Sequence, residues 1–377
     1  MWKTAAILVD NLWKVNFAES ERLEFRLNES RSHFQLKPST KLDILMDRKK
    51  SVDLGMLRSL NSHLFSARST IVGALLVASL SWGCTSQGVD EETRSSEGGT
   101  FTESTGELNV GAIPDQDPEK LQRLYGILAD YLSAELGVPV NYQPVTDYAA
   151  AVTAFKVGDL DLVWFGGLTG VQARLQVPEA EAIAQRDIDA EFHSVFIANT
   201  QSDLAPLNDL SELASLKGKT IAFGSESSTS GRLIPQHFLS EAGVTLEDFK
   251  GEPGFSGSHD ATIKLVESGS YEVGALNEQV WLDRTAEGEV DKSRVQAIWQ
   301  TPAYYDYHWV ANTEAVDEEF GEGFTEKIQA ALLNLDASNP EQAEILELFG
   351  ADKFIETQNE NYAQIEAVGR EIGKITD

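Results

Sequence analysis

One loop, Ser225-Glu226-Ser227-Ser228-Thr229-Ser230-Gly231, holds the residues best suited to chemistry. It follows a run that reads as a strand, Thr220-Ile221-Ala222-Phe223-Gly224, and precedes apolar positions at Leu233, Phe238 and Leu239 that read as a helix. Hydroxyl residues placed where a strand gives way to a helix are suited to holding an oxyanion. The first helical N–H groups lack partners within the helix, and the helix dipole adds partial positive charge there. Ser228, Thr229 and Ser230 can donate further hydrogen bonds. Pro235 falls early enough in the helix to be tolerated. The loop is not a hydrolase nucleophile turn, because neither Ser228 nor Ser230 has the flanking glycines of G-x-S-x-G. Nor is it a P-loop, since the Gly-Lys-Ser/Thr ending is missing. The plainer alternative is an ordinary N-cap with surplus serines.

Other candidates each carry two readings. His259, in Gly257-Ser258-His259-Asp260, either donates to the same anion or caps the helix that begins there. Tyr148 and Phe165 either cover a ligand or fill the core. Asp306, within Tyr304-Tyr305-Asp306-Tyr307-His308, is either a surface charge or a buried acceptor. An ionised carboxylate only accepts hydrogen bonds, so a buried one favours a ligand that brings a proton or a cationic tail. His193, His237, His259 and His308 show no metal-ligand spacing, which predicts no bound metal. Neither a nucleophile–base pair nor a metal cluster stands at recognisable spacing, so the sequence predicts no enzyme and no cofactor.

The elements that must position these residues alternate strand with helix. Leu108–Ile113 reads as a strand halted by Pro114. Leu121, Leu124, Tyr125, Leu128, Tyr131, Leu132 and Leu136 then recur at helical spacing up to Gly137. Val140–Val145 is a second strand, and a helix runs from the N-cap Asp147 to Val157. Leu160–Gly166 is a third strand. Further strands are predicted at Ala182–Arg186, Ser194–Asn199, Thr220–Gly224, Val273–Leu276, Val295–Gln300 and Trp309–Asn312. Helices are predicted at Arg232–Ala242, Asp260–Ser268, Phe324–Leu335, Glu341–Phe349 and Tyr362–Ile375. Repeats of this kind imply parallel-type sheets covered by helices on both faces. About 270 ordered residues exceed a comfortable single core, so two α/β lobes with a ligand cleft between them are the natural division.

Charge and leader narrow the class. Residues 84–377 hold 18 basic and 52 acidic residues, a formal charge of −34. So acidic a body repels nucleic acid and anionic membrane surfaces. An anion still binds, because distant carboxylates are screened beyond about 8 Å, while each charge-assisted bond in a closed cleft contributes about 1.5–3 kcal/mol. The single cysteine excludes an intrachain disulfide. The apolar run Ile71–Leu80, after Arg58 and Arg68, reads as a signal peptide over 56–83 and is too short to span a bilayer permanently. It ends at Cys84, and 84–105 is a Ser/Thr/Gly/Glu-rich tether. Residues 1–55 show no sustained period, and Met56 is the predicted start, which makes the upstream stretch an artefact of where the chain is taken to begin.

The segment Gly83-Cys84-Thr85-Ser86 resembles a bacterial lipoprotein signal, which implies lipidation of Cys84 and membrane contact through that anchor only. The motifs Ser228-Thr229-Ser230-Gly231, Asp147-Tyr148-Ala149, Asp161–Gly166 and Gly257–Asp260 resemble, in this order of lobes, the phosphonate-type periplasmic binding proteins of ABC importers. Arg186-Asp187-Ile188-Asp189 and Tyr304–Tyr307 are most similar to a subgroup labelled as selenate receptors. The resemblance covers about residues 106–377. It implies a two-lobed type II periplasmic binding protein, monomeric, partnered by an ABC permease and its ATPase, that captures a small oxyanion by hinge closure. The chain would cross to the second lobe near Asn199 and return near Trp309, giving lobes of 106–198 plus 311–377 and of 199–310. Ser228, Thr229, Ser230 and His259 would grip the ligand from the second lobe, with Tyr148 and Phe165 closing from the first and Asp306 and Tyr305 beside them. Members that take aminoalkyl phosphonates carry an acidic residue after the strand ending near Leu276. Gln279, next to Glu278, stands there instead, which argues against such a ligand. The alternatives are a receptor of the same fold for an organic sulfonate or pyrimidine, and a sensor subunit.

Overall fold

The computed structural model describes residues 106–376. The expected start, signal peptide, Cys84 and tether lie outside them. The described chain begins with β1 (Leu108–Ala112), α1 (Pro118–Leu136), β2 (Val140–Tyr142), α2 (Tyr148–Val157), β3 (Leu162–Phe165), α3 (Gly167–Gln176), β4 (Ala180–Arg186) and β5 (Ser194–Asn199). It continues through β6 (Ile221–Phe223), α4 (Ile234–Glu241), β7 (Gly254–Phe255), α5 (His259–Glu267), β8 (Val273–Asn277), α6 (Glu278–Ala286) and β9 (Val295–Gln300). Last come β10 (His308–Asn312), α7 (Thr313–Phe320), α8 (Phe324–Leu333), α9 (Pro340–Phe349), β11 (Phe354–Glu356) and α10 (Ala363–Glu371).

Local chemistry accounts for the helix ends. Asp117 accepts from the Glu119 and Lys120 amides ahead of Pro118, and Gly137 closes α1 in the left-handed region at φ 73°. Asp147 caps α2 through the Ala150 amide, as its sequence position predicts.

Two sheets form, one per lobe. The first has the order β11-β4-β10-β3-β1-β2 and the second β7-β6-β8-β5-β9. The expected two-lobed α/β architecture with helix-covered sheets holds; within it both sheets are mixed, not wholly parallel. β1, β2 and β3 run parallel, but β10 is antiparallel to β3 and β4. In the second sheet β5 is antiparallel to β8 and β9. The physical reason is the double crossing. β10, returning, inserts between β3 and β4 against their direction, and β5, the first strand of its sheet, is later flanked by β8 and β9 running opposite to it.

The expected crossing near Asn199 is likewise corrected. All of β5 belongs to the second sheet, so the chain crosses through Asp187–His193 and returns through 301–307. There the two linkers pair, Phe192 and Tyr304 exchanging backbone bonds of 2.9 Å each. β5 suits a central position because both its faces are apolar. Val195 and Ile197 face one cluster with Ile263, Val266 and Trp281; Phe196 and Ala198 face another with Phe223, Leu239 and Ile298.

The first lobe is held by aromatic packing. Trp164 lies 5.3 Å from both Trp309 and Phe349, and Tyr125 meets Phe349 at 5.8 Å. Behind it His308 stacks on Tyr362 at 3.7 Å and is bonded through Nδ1 to the Asp306 carbonyl, so its ring is locked. A Cβ on Gly170 of α3 would collide with His308 Nε2. Gly170→Ala is therefore expected to destabilise the protein by about 1–3 kcal/mol through overpacking. Denaturant midpoints check this, and an unchanged midpoint would refute it.

Candidate functional site

The turn after β6 is compact for identifiable reasons. Ser228 Oγ accepts the Gly231 amide at 2.9 Å, and the Gly224 amide donates to the Gly231 carbonyl at 3.0 Å. A Cβ on Gly231 would sit 3.0 Å from Ser228 Oγ and 3.1 Å from Gly224 Cα, so any side chain there requires the turn to give by a few tenths of an ångström. Thr229–Leu233 forms a wide π-type turn before α4, where the sequence had predicted an α-helix from Arg232. Ser228, Thr229 and Ser230 are all buried.

Across the cleft, the first lobe presents the start of α3. The Gly167 amide donates to Asp306 Oδ1 at 2.8 Å and the Leu168 amide to Thr229 Oγ1 at 2.9 Å. Thr229 thus joins the two lobes, and its hydroxyl lies beside Asp306 as well. Asp306 is 1% exposed, which excludes the surface-charge reading. Its second oxygen, Oδ2, is buried with no hydrogen-bond partner. Burial raises its pKa to about 7, against the pull of the Gly167 amide. The Tyr148 hydroxyl is also buried beside Ser228 without a partner in bonding geometry.

His259 is fully buried. The cap of α5 is Ser258, which accepts the Ala261 amide, so His259 is not the cap. Its Nδ1 accepts the Asn277 amide at 3.3 Å, which assigns the proton to Nε2, and Nε2 donates to the Tyr307 hydroxyl at 3.1 Å. Burial lowers its pKa to about 4, so it is neutral near pH 7. Asn277 Nδ2 donates to the same Tyr307 oxygen at 3.2 Å. With two bonds accepted, Tyr307 is free to donate, and the buried Asp115 carboxyl lies against it. Desolvation raises Asp115 to about 6.

Two sequence candidates land elsewhere. The Phe165 ring packs edge-on to Phe155 at 5.8 Å within the first-lobe core. Tyr305 is half-buried, edge-on to Tyr362 at 6.0 Å. An extended segment sends successive side chains to opposite sides. Tyr304 and Asp306 therefore share the cleft side, Tyr304 bonded to Ser194 Oγ at 2.7 Å and adjoining Ser230. Tyr304, Tyr307, Asp115, Asn277 and the α3 amides were not predicted from sequence. The tyrosine-rich segment was the available signal for the first two.

Further bonds cross the cleft between the loop after β1 and the start of α5. The His259 amide donates to the Asp115 carbonyl and the Asp117 amide to Asp260 Oδ2, each at 2.9 Å. Two mixed α/β lobes, joined by two linkers and closed over convergent hydroxyls, amides and a buried carboxyl, define a solute receptor.

Residues 110–362 match the family described as "ABC transporter, phosphonate, periplasmic substrate-binding protein". The chain is 49% identical to the ABC transporter phosphite binding protein PhnD1 of Prochlorococcus marinus over 269 residues, 71% of this chain and 90% of that one. The structure of that PhnD1 in complex with methylphosphonate aligns with TM-score 0.70 over 71% of this chain and 99% of the other. The Escherichia coli phosphonates-binding periplasmic protein is 28% identical over 200 residues, 52% of this chain and 57% of its own. The chain belongs to this family of periplasmic substrate-binding proteins of ABC transporters. Its partners are accordingly a small solute and a permease with its ATPase, its compartment is the periplasm, and the relatives transport and do not catalyse.

Proposed function

We propose that the chain captures a singly protonated oxyanion of the phosphonate or phosphite class, between the Ser228–Ser230 turn and Asp306. The observation that carries this reading is Asp306 Oδ2, a buried acceptor without a partner beside Thr229. An acid proton on the ligand meets that acceptor, while the turn's hydroxyls and amides meet the charged oxygens. The PhnD1 relative, named for phosphite and solved with methylphosphonate, supports the ligand class. Selenate is disfavoured. It is a strong acid with no proton to offer, so Asp306 itself has to be protonated before selenate enters. As part of the same reading, the receptor acts as a monomer tethered through a lipidated Cys84; a free thiol there in intact-mass analysis would contradict the anchor.

The pH dependence follows from the sign of the shift. A carboxyl near 4 in solvent and about 7 in the closed cleft takes up a proton on closure, unless the ligand provides one. Without a ligand proton, closure is fully favourable only below about 4, weakens as pH rises from there to about 7, and changes no further above it. The second ionisation of a phosphate-like ligand, at about 6, acts in the same direction. Above about 6, where the ligand loses its own remaining proton, calorimetry is expected to show methylphosphonate affinity falling by up to tenfold per unit. Asp306→Asn, whose amide can donate instead, flattens this slope and improves selenate relative to methylphosphonate. Tight selenate binding by the unaltered protein with weak binding of phosphite and methylphosphonate would overturn the reading.

A further inference from the structure

Gln279, in the first turn of α6, spends both ends of its amide on the opposite lobe. Its Oε1 accepts from Arg186 Nη1 at 2.7 Å, and its Nε2 donates to the Gly350 carbonyl at 2.8 Å. The same Arg186 nitrogen donates to the Phe349 carbonyl at 2.7 Å. One side chain of the second lobe is thereby bonded both to the guanidinium at the end of β4 and to the C-terminus of α9. The fit is close. Gly350 caps α9 at φ 64°, and a Cβ there would collide with Gln279 Nε2. A carboxylate could not make both bonds, because the Gly350 carbonyl needs a donor and Arg186 needs an acceptor. None of these groups belongs to the turn that faces the ligand, and Gln279, which the resemblance aligned with a ligand-pairing acid, has both ends of its amide bonded to the opposite lobe instead.

We infer that Gln279 is a closure latch: a positioning residue whose two bonds exist only when the lobes meet, and which sets the closed population without touching solute. The inference goes beyond the ligand reading and rests only on closure. Its signature is indifference to ligand. When binding needs the closed form, apparent Kd equals intrinsic Kd divided by the closed fraction, so losing the latch weakens every ligand by one common factor. A bond to a charged group sets that factor at about tenfold.

The test compares Gln279→Ala and Gln279→Met with the unaltered chain, using methylphosphonate and phosphite in calorimetry and stopped flow. Both dissociation constants are expected to rise by about tenfold through faster dissociation, with their ratio preserved. The ligand-free melting temperature should not move, because the open form lacks the latch. Unchanged affinities, a ratio shifted more than about threefold (roughly 0.65 kcal/mol), or an equal loss of ligand-free stability would overturn it. If the unaltered chain bound neither probe, the ligand reading would fall and the latch would still be judged. An interlobe distance distribution, from one spin label on each lobe of ligand-free protein, should then show a smaller closed fraction in Gln279→Ala. An unchanged fraction would refute the latch.

Discussion

Thr229→Val weakens methylphosphonate binding by about a hundredfold or more. The substitution keeps the shape and removes one hydroxyl, so packing in the turn is conserved. What disappears is a group serving both lobes: Thr229 Oγ1 accepts the Leu168 amide at 2.9 Å and adjoins Asp306. On closure the Leu168 N–H would be buried without an acceptor, which costs about 1–3 kcal/mol. Loss of a hydrogen bond to a charged ligand costs a further 1.5–3 kcal/mol or so. In the open form water satisfies Leu168, so ligand-free stability should stay close to that of the unaltered protein. Calorimetry with thermal melting separates the two. Retention of affinity within about threefold, under 1 kcal/mol, would remove Thr229 from the site.

That turn was legible in sequence because its causes are local: a strand, a hydroxyl run, a glycine and a helix within a dozen or so residues. The amides facing it were not. α3 begins Gly167-Leu168-Thr169-Gly170, and two glycines in its first turn argue against a helix on propensity alone. Its capping partners, Thr229 and Asp306, stand 61 and 139 residues away, so no local pattern joins them. The tyrosine segment was recognised, but Tyr305 was chosen over Tyr304 and Tyr307. Tyr304 and Tyr307 stand three residues apart, so strict alternation does not put both on one side, and the sequence pattern could not pick out this pair over Tyr305. Phe165 stayed open between two readings for a related reason: the last residue of a buried strand points to one face or the other, and here its ring meets Phe155. Lobe boundaries failed at β5. Val195–Ala198 is apolar on both faces and would fit the middle of either sheet, so hydrophobicity could not say which.

Asp189→Asn is expected to lower the melting temperature by roughly 10 °C. Arg186 and Asp189 form a two-pronged pair at the linker, Nε to Oδ2 and Nη2 to Oδ1, both at 2.7 Å, with side chains 5% and 0% exposed. Burial alone would lower the guanidinium pKa, and Asp189 more than offsets this, so Arg186 remains charged at every accessible pH. An asparagine turns one accepting oxygen into an amide that faces the guanidinium donors, and the positive charge is left buried without compensation. Breaking such a pair costs about 3–5 kcal/mol, and each kcal/mol moves the midpoint of a domain of this size by about 2–4 °C. Replacing both partners with apolar residues is predicted to cost less, since a buried ion pair gains little over good packing. Arg186→Met with Asp189→Leu should therefore recover most of the lost stability. It should not recover ligand affinity, because Arg186 also bonds Gln279 and lies 5.0 Å over the Tyr307 ring. A melting point within about 2 °C of the unaltered protein in Asp189→Asn, less than the effect of 1 kcal/mol, would mean that water reaches the pair. Recovery of both stability and affinity in the double variant would mean that the pair holds the linker and has no part in closure.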